Sequence, residues 1–138
     1  SLIWFFVIME KNIKPIIAIV EDESSLLKVM ENIFKKDYEL ILCQNGAEAI
    51  NLIKEKRPDL IISDVMMPIM DGFELKYELN KEDYLKKIPF ILITALSEQD
   101  IRGKLDKLDV EITLSKPIRI KEIKELVRDI LDSIQTFS

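Results

Sequence analysis

Glu21-Asp22, Asp64, Thr94 and Lys116 are the residues of this chain whose types and spacing can do chemistry. Each stands at the end of a short apolar run: Ile16 to Val20, Leu60 to Ile62, Phe90 to Ile93 and Val110 to Leu114. If those runs are neighbouring strands, three carboxylates, a hydroxyl and an ammonium meet at one edge of a sheet. Close carboxylates repel, so such a cluster persists only with a cation or with a raised pKa. Oxygen donors without histidine suit Mg²⁺ or Mn²⁺ rather than Zn²⁺. A carboxylate can attack phosphorus to form an acyl phosphate. Phosphoryl transfer needs positioning and charge neutralisation above all, which a divalent ion and Lys116 would supply while Thr94 donates to a phosphoryl oxygen.

The chain has no histidine, which excludes a histidine-based triad, an imidazole metal ligand and a phosphohistidine carried here. Any phosphoryl group must therefore come from outside. The one cysteine, Cys43, lies in an apolar stretch and forms no internal disulfide; this fits a reducing compartment, and we expect a cytoplasmic protein with Cys43 as a small core residue. A net charge of −5 argues against a nucleic-acid surface, which normally carries a basic stripe.

The elements that position these residues follow from hydrophobic periodicity. Ile16–Val20, Leu40–Cys43, Leu60–Ile62 and Phe90–Ile93 have strand length and the composition of strands buried on both faces. Val110–Leu114 alternates and suits an edge strand. Between them, Leu26, Met30, Ile33 and Phe34 mark a first helix, with Ser24 or Ser25 as its cap. Ala47, Ile50 and Ile53 mark a second, and Phe73 to Leu79 a third. A fourth carries a thin stripe of Ile101, Leu105 and Leu108, and a fifth carries Ile120, Ile123, Val127, Ile130 and Ile134. Five strands alternating with five helices predict an α/β fold with a parallel sheet covered on both faces. Ligands in such sheets sit beyond the carboxyl ends of the strands.

A chain of 138 residues without a linker or repeat fits one domain, read here as residues 12–138. Residues 1–11 form an apolar leader, read either as non-native sequence or as a docking segment. Its run from Leu2 to Met9 is too short to span a bilayer, which takes about 20 residues, and lacks the features of a signal peptide. No membrane association is expected.

Taken together the motifs resemble the response-regulator receiver family. Glu21-Asp22 is similar to its acidic pair, and Ser63-Asp64-Val65-Met66-Met67-Pro68-Ile69-Met70-Asp71-Gly72 to its phosphoacceptor segment. Ile93-Thr94-Ala95 is similar to its switch hydroxyl and Ser115-Lys116-Pro117 to its lysine motif. The intervals of 42, 30 and 22 residues between Asp22, Asp64, Thr94 and Lys116 are those of the family, and the likeness runs from about residue 14 to 133. The resemblance implies a flavodoxin-like, doubly wound, five-stranded parallel sheet of order 2-1-3-4-5. It implies Asp64 as phosphoacceptor from a histidine kinase or phosphotransfer protein, and Mg²⁺ held by Asp22, Asp64 and the Met66 backbone carbonyl, with Glu21 acting largely through water. Thr94 and Lys116 would engage the phosphoryl group, and the Lys116–Pro117 peptide would be cis. The face formed by the helix around Ile101–Leu108, the fifth strand and the last helix would switch, docking an effector or a second copy. The domain would catalyse only its own phosphorylation and dephosphorylation. Two positions depart from the pattern: Thr113 stands where an aromatic is usual, and Asp109 where a glycine often precedes the fifth strand.

Singly, each residue has a plainer reading: Glu21-Asp22-Glu23 as partners of a helix dipole, Asp64 as a turn residue, Thr94 as a helix cap, Lys116 as a solvated lysine, Asp71-Gly72 as a turn. Their joint placement at strand ends favours the site. A haloacid-dehalogenase-type phosphatase needs a second aspartate two residues after the first, where this chain has Met66. A nucleotide-binding loop is absent from a sequence with three glycines, and the acidic Glu21-Asp22-Glu23 would repel a flavin phosphate. A receiver-like docking module that works without phosphorylation, and the receiver part of a hybrid kinase or larger regulator, stay open as alternatives.

Overall fold

The computed structural model describes residues 2–3 and 13–137, with the side chains of 135–137 outside that description. Of the leader only Leu2 and Ile3 are described, both exposed; the readings of residues 1–11 otherwise lie outside the described residues.

Five parallel strands, β1 (Ile16–Val20), β2 (Glu39–Cys43), β3 (Leu60–Asp64), β4 (Phe90–Thr94) and β5 (Ile112–Ser115), form one sheet in the order β2-β1-β3-β4-β5. The helices are α1 (Ser24–Phe34), α2 (Gly46–Lys56), α3 (Gly72–Leu79), α4 (Asp83–Lys86), α5 (Glu98–Leu108) and α6 (Ile120–Phe137). This is the expected flavodoxin-like arrangement with six described helices in place of five, because the single turn Asp83–Lys86 interrupts the connection to β4 and buries Leu85. Among the described residues no helix is long and apolar enough to cross a membrane.

Alternation along the strands explains the two-sided core. Ala18, Val20, Ile41, Cys43, Ile61 and Leu92 point to the face covered by α2, α3 and α5. Ile17, Ile19, Leu60, Ile62, Ile91 and Ile93 point to the face covered by α1 and α6. With both faces covered, β1 and β3 need continuous apolar sequence, and each fully buried Ile or Leu contributes about 1.5–3 kcal/mol.

Local rules corrected several expectations. Glu23, not Ser24 or Ser25, is the N-cap residue of α1 and makes no side-chain capping bond; both serines lie inside the first turn. Ala49 and Ile53 are the buried face of α2 while Ala47 is only half-buried. In α6 the buried row is Ile123, Val127 and Leu131, leaving Ile120 exposed. Strand β5 begins at Ile112 rather than Val110 because α5 ends in a Schellman motif. Val110 N–H donates to the Leu105 carbonyl at 2.9 Å and Asp109 N–H to Asp106 at 3.3 Å, the two bonds that close such an end around a left-handed residue. That residue is Asp109 (φ 58°), a type that tolerates this region, which accounts for its standing where the family often has glycine.

Candidate phosphoryl-accepting site

Register places the chemistry. β1 pairs with β3 so that Val20 lies beside Ser63, β3 with β4 so that Asp64 lies beside Ile93, and β4 with β5 so that Thr94 lies beside Ser115. The residues at the carboxyl ends of β1, β3, β4 and β5 therefore share one edge. Glu21 extends the ladder by one bond, its N–H donating to the Cys43 carbonyl at 2.9 Å, so its backbone is held at the sheet edge.

Glu21, Asp22 and Asp64 bring carboxylate oxygens within 4.8 Å of one another. Glu21 is 2% and Asp64 6% exposed, whereas Asp22 faces solvent. Lys116 Nζ lies 3.1 Å from Asp64 Oδ2 and 3.5 Å from Glu21 Oε1. The other Asp64 oxygen, Oδ1, accepts the Val65 N–H at 2.8 Å, which fixes the carboxylate plane. Burial, then the adjacent Asp64 carboxylate, pushes the Glu21 carboxyl up to about 7, although the Glu23 N–H and Lys116 oppose the shift. Burial alone would lower the Lys116 ammonium, but its hydrogen bond to Asp64 and the two carboxylate charges hold it above the ordinary lysine range. One ammonium facing three acidic groups leaves a negative pocket, and its donors are all oxygen. Burial pushes the Cys43 thiol up to about 12, so it offers no thiolate. This donor set fits a hard divalent cation.

Thr94 reaches the same edge, 4% exposed, but its Oγ1 accepts the Leu96 N–H at 2.9 Å and does not cap α5, whose N-cap is Ser97. Met66 lies in the loop after β3 with its side chain exposed. The Lys116–Pro117 peptide is cis, as the resemblance implied.

Response regulator receiver domains match residues 17–128 of the chain. The chain is 33% identical over 116 residues to the polar-differentiation response regulator DivK of Brucella anthropi, covering 83% of this chain and 94% of that protein. It is 34% identical over 120 residues to histidine kinase P4 of Formosa agariphila, covering 87% of this chain and 9% of the kinase. The crystal structure of the receiver domain of a Syntrophus aciditrophicus signal transduction histidine kinase superposes with a TM-score of 0.80 at 32% identity, over 87% of this chain and 92% of that one. The chain is a response-regulator receiver domain. It spans nearly all of one relative and under a tenth of another, so receivers like it occur both nearly alone and inside much larger kinases.

Two features of this receiver's site were not read from its sequence. Gly72 opens α3 against the end of β3: its N–H donates to the Val65 carbonyl at 2.8 Å, and a Cβ there would stand 2.2 Å from the Asp64 carbonyl oxygen. The Asp71-Gly72 turn signal was visible, and Asp71 indeed caps α3 by accepting the Glu74 N–H, but the close approach to Asp64 was not. Ile69 sits at φ 70° with 80% of its surface exposed, an unusual conformation for a β-branched residue. Thr113, the departure already visible in the sequence, is half-buried in β5 beside Leu92, so no aromatic ring occupies this position next to the Thr94 strand.

Proposed function

We propose that Asp64 accepts a phosphoryl group from a histidine kinase or phosphotransfer protein, and that this switches the face formed by α5, β5 and α6. The observation that carries the reading is the 3.1 Å contact between Lys116 Nζ and a buried Asp64 carboxylate that sits within 4.8 Å of two further acidic groups. An Asp64 oxygen attacks phosphorus, the bond to the donor's imidazole nitrogen breaks, and its electron pair leaves with the imidazole. Lys116 stays charged and balances the new phosphoryl oxygens. Glu21, Asp22, Asp64 and the Met66 backbone carbonyl are the groups that would hold Mg²⁺ (or Mn²⁺), which when bound supplies neutralising charge on the phosphoryl oxygens. Thr94 would turn its hydroxyl toward the phosphoryl group. Its present role as acceptor for Leu96 N–H couples that turn to the start of α5.

The donor's docking surface is supported by an apolar groove of about 660 Å³ between α1 and the segment after β5, where Leu26, Val29, Met30, Pro117 and Ile118 adjoin Lys116. The domain, residues 12–138, is a signalling module that catalyses only its own phosphorylation and dephosphorylation. It acts in the cytoplasm, alone or as part of a hybrid kinase or larger regulator, and passes its signal to an effector or a second copy. Thr113 favours one second reading, a module that docks without phosphorylation. A melting experiment separates the two. Mg²⁺ with beryllofluoride should raise the melting temperature of the wild type and leave Asp64→Asn unchanged, because a ligand at 100 times its Kd stabilises the folded state by about 2.7 kcal/mol. Equal response of the two proteins would leave the docking module standing.

A further inference from the structure

Helix α5 is anchored unequally at its two ends. At the start, residues 95–100 are all exposed and Ser97 makes no side-chain cap. The Leu96 N–H, donated to Thr94 Oγ1, ties this end to the sheet, and Ile101 is the first residue of the helix to be buried. At the other end Asn80, the C-cap residue of α3, donates from Nδ2 to the Leu108 carbonyl at 2.9 Å. Its Oδ1 in turn accepts from Lys76 Nζ at 2.8 Å, and the same ammonium donates to the Lys86 carbonyl at 3.3 Å. Lys76 is 3% exposed, and its ammonium also lies 5.8 Å over the Phe90 ring of β4. The Schellman end of α5 folds Val110 back onto Leu105, both buried.

A lysine so nearly excluded from water is expensive to hold unless its protons are used. Here they are used to orient Asn80, so the Asn80 amide cannot swap its donor and acceptor ends without setting its N–H₂ against an ammonium. The donor is thereby fixed on Leu108, the last residue of α5, and the Asn80 and Lys76 side chains together connect that helix to α3, α4 and β4.

We infer that Asn80 is a positioning residue of the switch: it pins the carboxyl end of α5, so that a displacement started at Thr94 becomes a tilt of the helix about Leu108. The inference rests on the phosphorylation reading above. An 11-residue helix is about 16 Å long, so a pin at one end turns a small movement at the Thr94 end into reorientation of the exposed face, with little change near Leu108. Without the pin the carboxyl end keeps the packing of Leu105 and Val110 but loses this hydrogen bond, and can shift with the rest of the helix. Asn80 touches no reacting group, and its effect is on what phosphorylation does to α5.

Hydrogen exchange read by mass spectrometry tests this, comparing Mg²⁺ alone with Mg²⁺ plus beryllofluoride. In the wild type, exchange should change between the two states in residues 95–101 and stay equal in residues 105–110. Asn80→Asp keeps an acceptor for Lys76 and removes the donor to Leu108; it should make residues 105–110 differ between the states by about fivefold, the scale of one lost hydrogen bond. Asn80→Ala, which also removes the donor, should do the same. A purely structural loss would raise exchange equally in both states and leave their ratio at one, which overturns the pin. A wild-type change spread evenly over residues 95–110 also overturns it. No change anywhere in residues 95–110 is a distinct result: it removes the switch reading itself, and the pin with it.

Discussion

Replacing Glu21 by Gln should change how stability depends on pH. In the folded, metal-free protein the Glu21 carboxyl titrates at about 7 against an ordinary value of 4.5. A folded pKa above the unfolded one means that folding favours the protonated form. The contribution is fully present below pH 4.5 and is lost as pH rises to and through 7. At about 1.4 kcal/mol per unit, the loss across this range is on the order of 3 kcal/mol. The unfolding entropy of a 138-residue chain is about 0.3 kcal/mol/K, so the melting temperature should fall by about 10 °C. The groups facing Glu21 are Asp64, Asp22 and Lys116, with the Glu23 backbone N–H. Subtracting the Glu21→Gln profile isolates Glu21 from other carboxylates of the chain. The assay is a melting series in EDTA from pH 5 to 8 for both proteins. Wild-type stability should drop relative to the variant as pH rises, and saturating Mg²⁺ should remove most of the drop. A difference that stays flat between pH 5 and 8 would refute the account of buried, mutually repelling carboxylates.

Four further outcomes follow from single residues. Gly72→Ala must displace backbone, since its Cβ would meet the Asp64 carbonyl oxygen at 2.2 Å; it should cost about 1–3 kcal/mol in chemical denaturation and slow phosphorylation, whereas Gly103→Ala, with nothing within 4 Å in α5, should stabilise by up to about 1 kcal/mol. Ile69→Gly should raise the melting temperature by about 2–3 °C, because relief of roughly 1–2 kcal/mol of left-handed strain exceeds the added chain entropy of about 0.5–1 kcal/mol. Cys43, fully buried with its thiol pushed up to about 12, should resist iodoacetamide at pH 8 in the folded state and react once denatured.

The sheet was legible because periodicity and burial agree: β1, β3 and β4 need apolar residues on both faces, and their terminal residues were then bound to share an edge. The acidic cluster was legible for the same reason, since Glu21, Asp22 and Asp64 stand at positions that a parallel sheet brings together whatever the side chains prefer. What sequence could not supply depended on contacts made in three dimensions. The Schellman end that moves β5 to Ile112 needs Val110 to reach back to Leu105. Gly72 is an ordinary turn residue until Asp64 is placed against it. Lys76 lies within the helix expected over Phe73 to Leu79, and only the fold shows it buried and holding Asn80.

The most direct measurement is the intact mass of the protein after incubation with acetyl phosphate and Mg²⁺. The wild type should gain one phosphoryl group, lose it under mild base as an acyl phosphate does, and gain none in EDTA; Asp64→Asn should gain none at all. A phosphoryl group that still appears on Asp64→Asn, or a wild type that never gains one, would contradict the account.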